Sequence, residues 1–369
     1  MSRDQDRLDI AQIVPYYPPH LGGMEVVAAS LAECLAVDNR VRVLTSRIGA
    51  AREPKRERHG NLSVRRFPAV EVANTPVFPT ALPSILALSR RTILHVHVTQ
   101  AFAPELAAVG SLLGGRPLVA HYHMDVDPTG YPRVLAAYKR LILAPILRRA
   151  GRVIVLDDTQ ATLVAERYRV STRLIELLPN GVHARFFSDD EPEAIENRPY
   201  RLLFVGRLSA QKNLNRLLDA ARLLRRPIDL VVVGDGEQRA NLEQRVTKAG
   251  QLGIRLVGRQ TAEALVQWYR WADVLVSSSD REGMPLAFLE AMAAGVPIVG
   301  TDVPGSRETL AGVGVVVPPT AAALAGALEM LAGDQARRRE MAAAGRRRVA
   351  GRSWDTVSDR LVEIYRELV

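Results

Sequence analysis

Short runs of apolar residues alternate with longer amphipathic stretches, and this pattern occurs twice along the chain. In the first half, residues 8–14, 41–45, 93–98, 117–121 and 152–156 read as strands, with helical stretches such as 24–36 and 133–149 between them. Runs this short fit strands buried on both faces of a parallel sheet. Strand–helix alternation is the signature of a doubly wound α/β fold. Residues 188–199, acidic, proline-containing and nearly free of apolar side chains, break the rhythm and read as a linker. A second series of strands follows at 201–206, 228–234, 254–258, 273–277, 297–300 and 314–317. Past Gly351, Trp354, Val357, Leu361, Ile364 and Leu368 mark one face of a last helix. The expected organisation is therefore an N-terminal domain over 1–187, a linker over 188–199 and a C-terminal domain over 200–350. Residues 351–369 are expected to form a helix that packs back on the N-terminal domain.

A length of 369 residues suits two cores better than one. No run approaches the roughly 20 apolar residues of a membrane helix, and the opening Met1-Ser-Arg-Asp is unlike a signal sequence, so a cytoplasmic location is expected. The single cysteine, Cys34, excludes an intrachain disulfide and a thiolate metal cluster. Of the net charge of +9, residues 1–185 supply +8, from 24 basic against 16 acidic side chains. That surplus suits an anionic acceptor or peripheral contact with a membrane, although a general preference for arginine accounts for it equally well. Only four lysines occur, at 55, 139, 212 and 248, so a lysine kept inside a motif is informative.

Ligands of open α/β sheets bind beyond the carboxyl ends of the strands, and two such sheets facing each other would line a cleft. The most specific string is 277–297, in which Glu282 and Gly283 form a turn after a strand and Met284, Pro285 and Leu286 open a helix. Glu290 lies inside that helix, and Gly295 and Pro297 end it. The amides of such a turn form an anion site, and two carboxylates on the same element suit recognition of hydroxyl groups. Arg207 and Lys212 follow the first strand of the second half and are placed to neutralise a diphosphate. Gly22 and Gly23 lie between a strand and a helix, where they permit close backbone approach and positive φ. His123 sits at another strand end, within His121-Tyr-His123-Met-Asp125-Val-Asp127. Its Asp-x-Asp pattern recurs at Asp4-Gln-Asp6 and is too common to define a metal site, and His95 and His97 suit a structural role at a strand end.

Gly234-Asp-Gly236 lacks the third glycine of a dinucleotide fingerprint, and no Walker lysine motif exists. Arg337–Arg339 and Arg346–Arg348 lack interleaved aromatics and read as solvated helix faces, so no nucleic-acid partner is expected.

Taken together, these strings resemble the retaining glycosyltransferases of group 1, or family four, which have two Rossmann-like domains facing across a cleft in the B-type fold. The resemblance runs through Gly22-Gly23-x-Glu25, His123, Pro179-Asn-Gly-Val182, Phe204-Val-Gly-Arg-Leu208 with Lys212, Val233-Gly-Asp-Gly236 and Glu282-x7-Glu290. It implies that Arg207 and Lys212 hold the donor diphosphate and that Glu282 with the 283–286 amides meets the transferred sugar. Glu290 would bind the ribose, and backbone near Gly258 and Arg259 the base. Gly23 would lie against the phosphates, and His123 would approach the sugar near its reacting side. The resemblance further implies a nucleotide-sugar co-substrate, a UDP-sugar by family frequency, with no metal or other cofactor required. The acceptor stays open among envelope glycans, small molecules and specialised metabolites such as antibiotics, and the chain is expected to be a monomer or homodimer. Departures occur at His183, where similar proteins usually carry aspartate, and at Asp157-Asp158, which replaces a serine-containing turn. A nucleotide-sugar epimerase or phosphorylase of the same fold, or a non-catalytic nucleotide- or glycan-binding protein, are the alternatives.

Overall fold

Ten strands and their helices build the first of two units, which spans residues 1–181 and 354–369; residues 182–353 form the second. The computed structural model describes residues 7–20, 22–72, 75–99, 101–125, 132–248 and 253–369. In the first unit the strands are β1 (Asp9–Val14), β2 (Arg40–Ser46), β3 (Arg56–His59), β4 (Leu62–Phe67), β5 (Val70–Val72), β6 (Thr75–Val77), β7 (Ile93–Val98), β8 (Leu118–Tyr122), β9 (Arg152–Val155) and β10 (Ile175–Leu177). Eight of them form one sheet in the order β10-β9-β8-β7-β1-β2-β4-β3, parallel except where β3 pairs antiparallel with β4; β5 and β6 make a separate hairpin. Every side chain of β7 and β8 is buried, His95, His97 and His121 among them, as in strands covered on both faces. The last helix, Trp354–Arg366, belongs to this unit and packs on the helix Gly23–Leu35 through the face its sequence periodicity marks.

The second unit holds β11 (Tyr200–Val205), β12 (Ile228–Val233), β13 (Ile254–Gly258), β14 (Val274–Ser277), β15 (Ile298–Thr301) and β16 (Val315–Val317). They form one parallel sheet, ordered β13-β12-β11-β14-β15-β16. The doubly wound α/β expectation holds for both units.

The segment 188–199 does not stand outside the units. The chain divides at 181/182 and 353/354, and 188–199 lies along the second unit. Its carbonyls explain why: Arg346 donates to the carbonyls of Ser188 (2.7 Å) and Asp190, and Arg338 to that of Glu193 (3.0 Å). Arg338, read from sequence as part of a solvated face, is only 1% exposed and also donates to Leu331 and Ala332. A guanidinium has five donors, and here three carbonyls satisfy enough of them to keep it in the interior.

Candidate functional site

Strands β11 and β14 are neighbours, so the loops leaving their carboxyl ends meet. The loop after β11 ends in a short 3-10 turn, Ala210–Lys212, and is joined to the loop after β14 by several hydrogen bonds. Asp280 N donates to Gln211 O at 2.8 Å, Gln211 Nε2 to Arg281 O at 2.8 Å, and Ser278 Oγ to Lys212 O at 2.9 Å. On this scaffold Lys212 Nζ reaches both oxygens of Glu282, at 2.6 and 2.7 Å, and Ser279 Oγ donates to the same carboxylate at 2.5 Å. The Lys212 and Glu282 side chains are 20% and 6% exposed, so solvent screens the pair weakly. Instead of two free cations, the loops thus present a lysine locked to a carboxylate and a half-exposed Arg207. The Arg207 guanidinium lies 3.5 Å from Glu237.

Two glycines allow these loops to come so close. Gly234 (φ +133°) follows β12, and a Cβ there would fall 1.9 Å from the carbonyl oxygen of Gly206. Gly305 (φ +81°) passes under the Glu282–Gly283 turn, where a Cβ would sit 2.2 Å from Gly283 O. The pair Gly234 and Gly236 therefore serves loop packing, consistent with its failure as a dinucleotide fingerprint.

The helix Leu286–Ala293 starts at Pro285, so the amides of Leu286 and Ala287 have no acceptor within the helix. Glu290, one turn further in, accepts a 2.7 Å hydrogen bond from Tyr269, a fully buried residue of the preceding helix, Ala262–Trp271. Burial pushes the Glu290 carboxyl up to about 7, against a downward pull from the Tyr269 hydroxyl. A raised folded-state pKa means that the group's stabilising contribution is complete below its unfolded value and lost as pH rises through 7. Glu290→Gln is therefore expected to be more stable than the parent at about pH 8, by on the order of 2 kcal/mol, with the gap closing on acidification. Thermal melts across the pH range check this. Gly258, buried, ends β13 at φ +71° and is followed by the exposed Arg259.

In the first unit, Gly22 precedes the helix Gly23–Leu35, but neither glycine adopts positive φ, contrary to the expectation for this turn. Gly22 is extended (φ −165°), and its missing side chain has a different cause. A Cβ would lie 2.3 Å from the carboxylate of Glu25, which pairs with His20 Nδ1 at 2.7 Å. Around Gly23 the space is open.

His123 follows β8 and faces inward, its Nε2 2.8 Å from Nδ1 of His97 on the adjacent β7. Burial lowers its pKa to about 3, so near neutrality it is an uncharged hydrogen-bonding group and not a titrating acid or base. The rings of His95, His97, His121 and His123 stack along two strands. Nitrogens of the first three lie within 4.8 Å of one another, the spacing of a possible ligand set. Asp125 is committed elsewhere: Lys139 (2.8 Å), Arg167, Tyr122 and Tyr168 all bind it. Its partner in the Asp-x-Asp pattern, Asp127, lies outside the described residues, as do Asp4 and Asp6. Asp157 caps the helix Asp158–Arg167 by accepting from Gln160 N at 2.7 Å. Sequence reasoning missed Ser279, Tyr269 and Glu237, and it read His97 as structural without its pairing to His123. Tyr269 and Glu237 act through partners distant in sequence, so no local pattern marked them, whereas Ser279 meets Glu282 within the same loop.

Two family models cover nearly the whole chain: that of glycosyl transferases group 1 matches residues 186–348, and that of glycosyltransferase family 4 matches residues 21–186. A GDP-mannose-dependent alpha-mannosyltransferase of Mycobacterium tuberculosis is 26% identical over 96% of both chains. An alpha-D-kanosaminyltransferase of Streptomyces kanamyceticus is 30% identical over 74% of this chain and 77% of its own. Among solved structures, Anabaena HepE in complex with UDP and glucose superposes with a TM-score of 0.78 at 18% identity, over 98% of this chain and all of that one. The chain belongs to the group 1, family 4 glycosyltransferases, with the two-unit B-type fold. The names of its relatives differ in the sugar transferred, mannose in one and kanosamine in another, and a third is named for D-inositol 3-phosphate.

Proposed function

We propose that this glycosyltransferase moves a sugar, with retention of anomeric configuration and without a required metal, from a nucleoside-diphosphate sugar to an acceptor hydroxyl. The reading rests on the Lys212–Glu282–Ser279 cluster at adjacent strand ends, beside the opening amides of the helix Leu286–Ala293. In it, Arg207, Lys212 and the 283–286 segment bind the diphosphate, and Glu282 binds hydroxyls of the transferred sugar. Glu290 takes the ribose, and Gly258 and Arg259 flank the base. The first unit supplies Gly22 and Gly23 at a helix N-terminus and His123 as a neutral hydrogen-bond partner for the sugar. As the anomeric C–O bond breaks, negative charge collects on the departing phosphate. Lys212 and Arg207 stabilise it, and a phosphate oxygen takes the proton of the acceptor hydroxyl that forms the new bond on the same face.

A UDP-sugar, UDP-N-acetylglucosamine or UDP-glucose, is the first donor of this reading. GDP-mannose is the second, favoured by the full-length relative named for it. The acceptor class is an envelope glycan, a small molecule or a specialised metabolite. A panel of nucleotide sugars, each followed for slow hydrolysis without acceptor, tests the proposal. One donor should release its nucleoside diphosphate, and the Lys212→Ala variant should not release it. Sugar inversion without an acceptor would indicate an epimerase, dependence on inorganic phosphate a phosphorylase, and binding without turnover on any acceptor a non-catalytic protein.

A further inference from the structure

Residues 132–149 form one helical run: α over Pro132–Tyr138, a π turn over Lys139–Leu143 and α again over Ala144–Arg149. Its inner side is settled, with Leu143, Ala144, Ile146 and Leu147 in the core of the first unit. Lys139 also turns inward, onto Asp125. The outer side is unusual in two respects. Val134, Leu141 and Ile142 are 67%, 69% and 43% exposed. Around them stand Arg133, Arg140, Arg148 and Arg149, all exposed, and no ion pair is found for any of them among the described residues.

Several arginines elsewhere do meet carboxylates, among them Arg42 with Asp9, Arg198 with Asp273, Arg216 with Asp280 and Arg255 with Asp229; here the local sequence offers none. Between residues 132 and 156 there is no Asp or Glu at all. The neighbouring helix Ala103–Gly114 packs against the π turn and Ala144–Arg149, and it adds Leu112 and Leu113, 76% and 67% exposed.

We propose that this outer face is a docking surface for an anionic lipid bilayer. Aliphatic side chains set among unpaired arginines match the two layers of a membrane interface. The apolar groups enter the boundary of the acyl chains while the guanidinium groups stay with the phosphates. A nucleic acid would leave the five aliphatic side chains in water, and among the described residues no aromatic side chain on this face is exposed to stack on bases. No described helix is long and apolar enough to cross a membrane, so the contact is peripheral. The proposal does not depend on donor identity or on turnover, and it can fail while the transferase reading stands.

The test is flotation of the purified full chain with phosphatidylcholine vesicles, with and without phosphatidylglycerol, at low and high salt. Binding is expected only to the anionic vesicles and to weaken with salt. Reversing three charges (Arg140→Glu, Arg148→Glu, Arg149→Glu) should weaken it on the order of a hundredfold. The triple apolar variant Leu112→Ser, Leu113→Ser, Leu141→Ser should weaken it about tenfold or more. Both variants should keep the parent melting temperature and nucleotide affinity in the absence of vesicles. The proposal is overturned if the parent ignores anionic vesicles or if either variant binds like the parent. It is equally overturned if an oligonucleotide binds as tightly as the vesicles and is indifferent to the apolar variant.

Discussion

Lys212→Ala is expected to lose donor turnover by on the order of a hundredfold to a thousandfold and to lose stability as well. The two losses have different origins. In the proposed function, removing the ammonium takes away the charge assigned to the departing diphosphate; in the structure it leaves the Glu282 carboxylate, 6% exposed, with Ser279 as a side-chain donor. Breaking a buried pair from one side costs about 3–5 kcal/mol; the partial exposure of Lys212 brings the expectation nearer 2–3 kcal/mol. Adding Glu282→Gln to the same chain removes the stranded charge, and the double variant should regain most of the stability. It should not regain nucleotide affinity or turnover, because the proposed function assigns both groups to the donor. Denaturant melts and donor-hydrolysis rates on the four chains of this cycle separate the effects. A double variant that recovers both stability and turnover would assign Lys212 a purely structural role.

Acid should unfold the first unit before the second. Burial holds the pKa of His95 and His123 at about 3 and that of His97 and His121 well below the ordinary value, so all four are neutral in the folded chain. A depressed folded pKa contributes stability that is present above the unfolded value, near 6.5, and lost as pH falls towards the folded one. Each such group costs at most about 1.4 kcal/mol per pH unit, so four together cost up to about 5.6 kcal/mol per unit, comparable with the whole stability of a typical domain. The first unit is therefore expected to unfold between about pH 4 and 5.5. Glu290 acts in the opposite direction, and it lies in the second unit. Trp354, buried in the first unit, reports on one half of the chain, while Trp268 and Trp271 report on the other. His121→Leu removes one of the four titrating groups, together with a 3.3 Å contact to His95 and the ring stacking on His97 and His123. It should lower the acid midpoint of the Trp354 signal. Coincident midpoints for both units, unmoved by that variant, would contradict the account.

Much of the fold was legible because its signal is local. Strands β1, β7, β8 and β12 are short, mostly apolar runs buried on both faces, and the face of the final helix is written in its 3.6-residue period. What escaped depends on distant partners or on charge. β3 and β4 carry Arg56, Arg58, Arg65 and Arg66 and sit at a sheet edge, where water or Glu57 meets the guanidinium groups, so no apolar pattern marked them. The segment 188–199 has the composition of a free linker, yet Arg338 and Arg346, some 150 positions away, bind its carbonyls. The expected helix 133–149 is present but passes through a π turn at Lys139–Leu143 that no sequence rule located.

The candidate site follows the same division. The carboxylates and cations of the site could be named from their strand-end positions, because a parallel sheet collects functional groups there. Their states could not. That Lys212 is locked to Glu282, that Tyr269 caps Glu290 and that His123 is held neutral against His97 are consequences of packing across neighbouring strands and helices.

The most direct measurement is a crystal structure of the chain with an intact nucleotide sugar. The pyrophosphate should lie within hydrogen-bonding distance of Lys212, Arg207 and the amides of the 283–286 segment, with the ribose hydroxyls on Glu290. Nucleotide bound elsewhere on the second unit, with the Lys212–Glu282 pair undisturbed and distant from any phosphate, would contradict the account.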